Sequence, residues 1–321
     1  MKAIVYRNYG SPDVLSYEEL EKPTPGDNEV LIRVRAASIN PYDRHFLKGK
    51  PRIIRFMQRK QKIKRPGVDL AGTVEAVGKA VTQLKPGDEV FGSARGAFAE
   101  YVCASESAVA PKPGNMTFEQ AAAVPMAAFT ALQALRDKGQ LQSGQKVLIN
   151  GAGGGIGTFA VQIAKAFGAH VTGVCSTRNA DMVRSIGADR VIDYTREDFT
   201  KLWQRYDLIL DTAGNHSLSA CRSVLNPAGK LLLVGGPISG VVVFLGRLLK
   251  AALLSRFASR RKPIIVMAKA RRQDLIVMRE LMESGKVTPV IDRVFGLSDV
   301  PAAFRYSQAE HARGKVVISL E

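Results

Sequence analysis

Cysteine and histidine are both scarce in this chain: 321 residues carry three cysteines and four histidines. Cys103, Cys175 and Cys221 are odd in number and far apart. That argues against a disulfide framework and for a reducing compartment, here the cytoplasm. His45, His170, His216 and His311 are equally scattered, whereas a zinc site needs about four converging N or S ligands. No purely apolar run reaches the ~18 residues of a membrane span. The opening Met1-Lys2-Ala3-Ile4-Val5 reads as a strand and lacks a signal-peptide layout. With 46% hydrophobic and 23% charged residues, the composition excludes a disordered, collagen-like or coiled-coil chain. The length suggests about two domains.

Acid is missing from two stretches. Arg44–Arg65 holds ten Lys or Arg and no Asp or Glu, and Arg247–Arg272 holds nine more, again with no acid. The net charge of +17 comes from 46 basic and 29 acidic residues, so these two segments alone account for it. Such local fields attract a phosphorylated cofactor, an acidic substrate, a membrane surface or nucleic acid.

The first third reads as β: Ala3–Tyr6, Val30–Ala36, Gly72–Val77 and Phe98–Cys103 are apolar or β-branched runs between turn clusters such as Lys85-Pro86-Gly87-Asp88. Gln120–Leu135 reads as a helix interrupted by Pro125. From Lys146 strands and helices alternate. The strands are Lys146–Asn150, His170–Val174, Val191–Asp193, Leu208–Asp211, Lys230–Val234 and Ile264–Ala268; helices cover Ile156–Phe167 and Ala180–Ile186. Alternation of this kind predicts right-handed βαβ crossovers and a doubly wound parallel sheet of six strands, a dinucleotide-binding fold. A helix over Asp274–Ser284 and β segments over Val290–Phe295 and Lys315–Leu320 complete the α/β pattern.

The strongest chemical signal is KVLINGAGGGIG at Lys146–Gly157. It lies between a buried strand and a helix, and reads as Ala152-x-Gly154-x-x-Gly157, a loose form of the dinucleotide fingerprint. Gly154 allows the backbone to approach a pyrophosphate, and Gly157 allows close helix–strand packing. The unpaired N–H groups opening the helix, from Gly155 and Ile156 onward, face the diphosphate. The next strand ends Ser176-Thr177-Arg178 with no carboxylate. An acid there would hold the ribose of NAD; two hydroxyls and a guanidinium instead suit a 2′-phosphate. The expected cofactor is NADPH.

With this fingerprint, the chain resembles the zinc-independent quinone oxidoreductase branch of the medium-chain dehydrogenase/reductase superfamily. The resemblance also rests on Ser38-Ile39-Asn40-Pro41-Tyr42-Asp43, Pro66-Gly67-Val68-Asp69-Leu70-Ala71-Gly72, Lys85–Gly92, Ala97–Tyr101, Gly187-Ala188-Asp189 and Gly314-Lys315-Val316-Val317. It implies a GroES-like β-rich catalytic domain over 1–124 and 286–321, and a Rossmann domain over 125–285. The zinc-ligand positions of the alcohol dehydrogenases correspond here to Asn40, Val68 and, depending on alignment, Asp69, with no cysteine or histidine among them; no metal is expected. By the same resemblance Asn40, Tyr42 and Asp43 lie near the nicotinamide, where Asn40 or Tyr42 would donate a hydrogen bond to the acceptor and Asp43 is as readily a turn residue. Thr130 would contact the nicotinamide ribose, Tyr194 would border the adenosine phosphate, and Val234-Gly235 would pass beside the nicotinamide.

Without a Lewis acid, alcohol oxidation is difficult, whereas an activated C=C or a quinone is already electrophilic. The expected activity is hydride transfer from NADPH to quinones or α,β-unsaturated carbonyls, with lipophilic acceptors preferred. The alternatives are enoyl reduction of acyl thioesters, or a peripheral membrane or nucleic-acid binder that keeps the cofactor fold. The resemblance places both basic segments at the mouth of the substrate cleft. Phe244, Leu245, Leu248, Leu249 and Ala252 have helical spacing, which fits a cover over the cleft or, less well, a helix lying on an anionic membrane. Nucleic acid is a weaker partner, because no aromatic interleaving accompanies the charge. A homodimer pairing at Ile264–Ala268 is implied by the resemblance alone.

Overall fold

A computed structural model describes residues 1–59, 61–234, 262–309 and 312–320. Gly235, His311 and the helical pattern at 244–252 lie outside them. The chain divides into two compact units, Met1–Phe129 with Ala270–Glu321, and Thr130–Lys269.

The unit Thr130–Lys269 is built on a sheet of six parallel strands. Across the sheet they run Arg190–Asp193, His170–Cys175, Lys146–Asn150, Tyr206–Asp211, Leu225–Val234 and Ile264–Val266. In order of sequence this is 3-2-1-4-5-6, the arrangement of a Rossmann sheet, with its reversal between the first and fourth strands. The apolar runs forecast the sheet because these strands are covered on both faces. Leu148, Val174, Ile209, Tyr206 and Leu231 are buried in one core. The helix Gly155–Ala166 buries Phe159, Ala160, Ile163 and Ala164, positions at the i, i+1, i+4, i+5 spacing of one helix face.

The other unit carries a seven-stranded mixed sheet, the GroES-like part of the α/β fold. Its path runs Ile291–Gly296, Lys315–Ser319, Glu29–Ser38, Asp69–Val77, Glu89–Ser93 and Val109–Pro111, with Tyr101–Ser105 also paired to Glu29–Ser38. The strand Lys315–Ser319 is therefore interior, parallel to one neighbour and antiparallel to the other. Ile32, Leu70, Phe98, Phe304 and Val316 fill the core, where the Phe98 and Phe304 rings meet edge to face at 6.0 Å.

The expected helix Gln120–Leu135 is interrupted at Pro125, as the sequence indicates: Phe118–Ala122 ends before it, and Pro125, which lacks an N–H, opens Pro125–Leu132, continued as a π-helix over Gln133–Gly139. The basic stretch after Asn40 contains two helices, Pro41–Lys48 and Arg52–Met57. The helix Arg272–Glu283, placed by sequence in the cofactor domain, clusters with the β-rich unit. There it buries Leu275, Met278 and Met282, Asn115 donates to its Met282 carbonyl at 3.0 Å, and its own Arg272 donates to the Glu106 carbonyl at 3.2 Å. The unit boundaries accordingly fall after Phe129 and Lys269 rather than after 124 and 285.

Candidate active site

In the parallel-sheet unit, the glycine loop, Ser176–Arg178 and Tyr194 follow the carboxyl ends of three adjacent strands. Gly151 and Ala152 donate to the Val174 carbonyl at 3.1 and 2.9 Å, tying the glycine loop to the second strand. Gly154 caps the helix with φ −89° and ψ 175°, a conformation open to any residue. A Cβ there would meet only the Gly151 carbonyl, at 3.5 Å. Neither backbone nor packing among the described residues therefore demands glycine at 154. Gly157 is different: its Cβ would stand 2.1 Å from the Gly151 carbonyl and 2.7 Å from Ala152 Cα, so it serves the close crossing of helix and strand. The opening N–H groups of the helix, at Gly155, Ile156 and Gly157, have no acceptor within it.

Ser176, Thr177 and Arg178 follow the second strand, and Tyr194 follows the third, paired beside it; the Tyr194 N–H donates to the Cys175 carbonyl at 3.0 Å. Tyr194 is 54% exposed, an aromatic face left open at the sheet edge. Sequence reading missed two neighbours. Thr177 Oγ1 donates to Asp193 Oδ2 at 2.5 Å, and the Thr195 hydroxyl donates to Asp193 Oδ1 at 2.8 Å. The Thr177 bond leads the causes that hold the Asp193 carboxyl below its usual range. The second is Asn179, buried against the glycine loop, where a Cβ at Gly153 would touch its Nδ2 at 2.6 Å; its Oδ1 has no partner among the described residues. An unclaimed acceptor and an unfilled cradle at Gly154 both fit a bound dinucleotide. Thr130, on the helix Pro125–Leu132, and Val234, ending the fifth strand, are buried in the same unit.

In the β-rich unit, Asn40 caps the helix Pro41–Lys48, and Asp43 reaches back to the Asn40 N–H at 2.8 Å while also accepting from the Gly67 N–H at 3.2 Å. Both are buried. Burial pushes the Asp43 carboxyl up to about 7. Asn40 donates through Nδ2 to Asp69 Oδ2 at 2.9 Å and to the Ser38 carbonyl at 3.4 Å, and its Oδ1 accepts from Lys315 Nζ at 2.6 Å. Its amide is thus committed inside the protein, and is not the free donor the sequence suggested. Asp69 also accepts the Met126 N–H and lies 3.6 Å from Lys315 Nζ. Burial raises the Asp69 carboxyl and lowers the Lys315 ammonium, and their mutual attraction opposes both shifts.

Tyr42 and Asp43 line a cavity of about 290 Å³ whose wall includes Phe46, Ile63, Pro66 and Val68, with Arg65 and Arg95 as its cations. Burial, ahead of the Arg95 charge that opposes it, raises the Tyr42 phenol. No group of three or more His, Cys, Asp or Glu with metal-site spacing occurs among the described residues.

Residues 26–114 match the alcohol dehydrogenase GroES-like domain, and residues 186–318 match the zinc-binding dehydrogenase domain. The chain is 34% identical over 339 residues to an NADPH-dependent alkenal/one oxidoreductase from Arabidopsis thaliana, covering 99% of this chain and 79% of that one. It is 34% identical over 335 residues to quinone-oxidoreductase QR1 from Triphysaria versicolor, covering 99% and 98%.

The chain belongs to the quinone oxidoreductase branch of the medium-chain dehydrogenase/reductase superfamily.

Among solved structures, the quinone oxidoreductase from Coxiella burnetii superposes with a TM-score of 0.88 at 29% identity, covering 100% of this chain and 99% of that one. As a quinone oxidoreductase of this superfamily, the chain divides its labour between the two units: glycine cradle and 2′-phosphate candidates in one, polar cluster and cavity in the other.

Proposed function

We propose that this protein is an NADPH-dependent reductase that passes hydride to an apolar electrophile, a quinone or an α,β-unsaturated carbonyl, without a metal. Gly154 carries the cofactor half of this reading: it is a glycine that no packing among the described residues requires, at a helix start whose first N–H groups have no acceptor within the helix. The names of the relatives from Arabidopsis and Triphysaria support the acceptor class.

The metal-free half rests on the donor set. Asn40 is engaged at both ends of its amide, Val68 offers no donor, and Asp69 faces the buried Lys315 ammonium. A cation of the protein's own already neutralises this pocket of charge, so the residues do not fit zinc.

Gly154, Gly155, Ile156 and Gly157 would hold the pyrophosphate, and Arg178 with Ser176 the 2′-phosphate, since the Thr177 hydroxyl expected to join them is spent on Asp193. Bound NADPH supplies the hydride. Tyr42, a phenol whose burial further disfavours ionisation, donates a hydrogen bond to the acceptor oxygen and stabilises the charge that develops there. Asp43 fixes the first turn of the Tyr42 helix through Asn40 and Gly67. Phe46, Ile63, Pro66 and Val68 exclude water around the acceptor. The edge strand Ile264–Val266 has a partner on one side only among the described residues, which supports a homodimer joined there.

NADPH oxidation with quinone, enone and enoyl-thioester panels tests the reading. Quinones or enones should be turned over best, and Tyr42→Phe should lower turnover about 100-fold or more while leaving NADPH affinity intact. Faster turnover of enoyl thioesters moves the assignment to acyl substrates. Stoichiometric zinc by elemental analysis ends the metal-free half.

A further inference from the structure

The helix Arg52–Met57 turns its hydrophobic side outward. Ile53, Phe56 and Met57, at helical spacings of three and four, are 57%, 59% and 56% exposed, and Ile63, after the helix, is 43% exposed. Lys48, Lys50, Arg52, Arg55, Arg59 and Lys62 surround them, all exposed, and none pairs with a carboxylate among the described residues. The Arg59 guanidinium lies 4.3 Å from the centre of the Phe56 ring, an apolar body with a charged rim.

The backbone beneath is held firmly. Ile54 is buried on the opposite side. The Tyr6 N–H donates to the Lys64 carbonyl and the Lys64 N–H to the Tyr6 carbonyl, at 2.9 and 3.0 Å. Tyr6 and Tyr9 both donate to Gln58 Oε1 at 3.4 Å. The outward apolar side chains are thus displayed by a fixed support rather than by a frayed loop. A contiguous apolar patch ringed by unpaired cations suits an anionic bilayer, where apolar groups enter the acyl boundary and cations meet lipid phosphates. Polynucleotide would match the charge but leave Ile53, Phe56 and Met57 without partners.

We propose that the exposed face of Ile53, Phe56 and Met57, with Arg52, Arg55, Arg59 and Lys62 as its basic rim, docks this protein on anionic phospholipid. The same stretch supplies Gln58, Gln61 and Ile63 to the wall of the Tyr42 cavity, so a docked molecule takes its acceptor from the lipid phase. This last consequence rests on the reductase reading; the docking does not.

Co-sedimentation with vesicles of phosphatidylcholine and phosphatidylglycerol, against phosphatidylcholine alone, tests docking without turnover. The protein should sediment with the anionic vesicles, be released by salt, and ignore the neutral ones. Arg52→Gln/Arg59→Gln/Lys62→Gln should weaken binding about 100-fold, and Ile53→Ser/Phe56→Ser/Met57→Ser should abolish it. Both triple variants should keep the wild-type rate on a short, water-soluble enone. Docking is refuted if the wild type stays in the supernatant at low salt, or if either variant sediments like it. It is also refuted if the serine variant changes only the sedimentation coefficient in free solution, which would make the patch a contact between copies. Absence of turnover with every acceptor, alongside intact vesicle binding, removes the reductase reading and leaves the docking.

Discussion

Lys315 Nζ donates to Asn40 Oδ1 at 2.6 Å and lies 3.6 Å from Asp69 Oδ2, joining residues 275 positions apart in a fully buried polar cluster. The ammonium both neutralises Asp69 and orients the Asn40 amide. Removing it leaves a carboxylate buried without its cation. Lys315→Met should cost about 3–5 kcal/mol of stability, and pairing it with Asp69→Leu should return part of the loss. Urea unfolding of the single and double variants checks this; additive losses would mean the two groups act independently.

Asp43 gives the stability a pH dependence of its own. Its folded pKa, about 7, stands above the ordinary carboxylate value of 3.8. Between these values the folded state binds more protons than the unfolded one, so this group costs stability progressively as pH rises from about 4 to about 7. Asp43→Asn cannot ionise. Its unfolding free energy relative to wild type should climb across that window, by at most ~1.4 kcal/mol per pH unit, and level off above it. A difference independent of pH would remove Asp43 as the source.

Gly154 and Gly157 separate ligand space from packing space. Gly154→Ala puts its methyl into the open cradle, so the melting temperature should hold while NADPH affinity falls tenfold or more. Gly157→Ala drives its methyl into the Gly151 carbonyl and should cost about 1–3 kcal/mol of stability. Calorimetry of melting and of NADPH binding distinguishes the two.

Arg178 follows the second strand, in the turn Thr177–Asn179. A charge-assisted bond to a 2′-phosphate contributes about 1.5–3 kcal/mol. Arg178→Gln should therefore weaken NADPH binding about 10- to 100-fold and leave NADH almost unchanged. Equal losses with both dinucleotides would mean that Arg178 supports the loop instead of reading the phosphate.

The parallel sheet was legible because its strands are short apolar runs between helices with a 3.6-residue repeat; Lys146–Asn150 falls where the pattern put it. The glycine loop was legible for the same reason, since its meaning depends on the strand before it and the helix after it. The polar cluster was not. Lys315 follows a glycine and begins a strand, which reads as a solvated end; only its interior place in the sheet buries it. Asp69 looked like a turn or ligand residue, and Asn40 like a free donor, because their partners come from distant strands. The helix Arg52–Met57 carried no sequence signal beyond its charge, because Ile54 is the one residue it buries. Asn179 and Asp193 became visible only when adjacent strand ends were placed side by side.

The split of the β-rich unit between the two ends of the sequence sets an order of assembly on the ribosome. Every strand of the parallel sheet has emerged once Val266 is out, so that unit can close during synthesis. Its mixed-sheet counterpart must wait for Lys315–Ser319, which slots between strands made at opposite times. Until then Asp69 has no cation beside it, and the Ala36–Ser38 end of its neighbouring strand, beyond the reach of Tyr101–Ser105, stays open to other nascent chains.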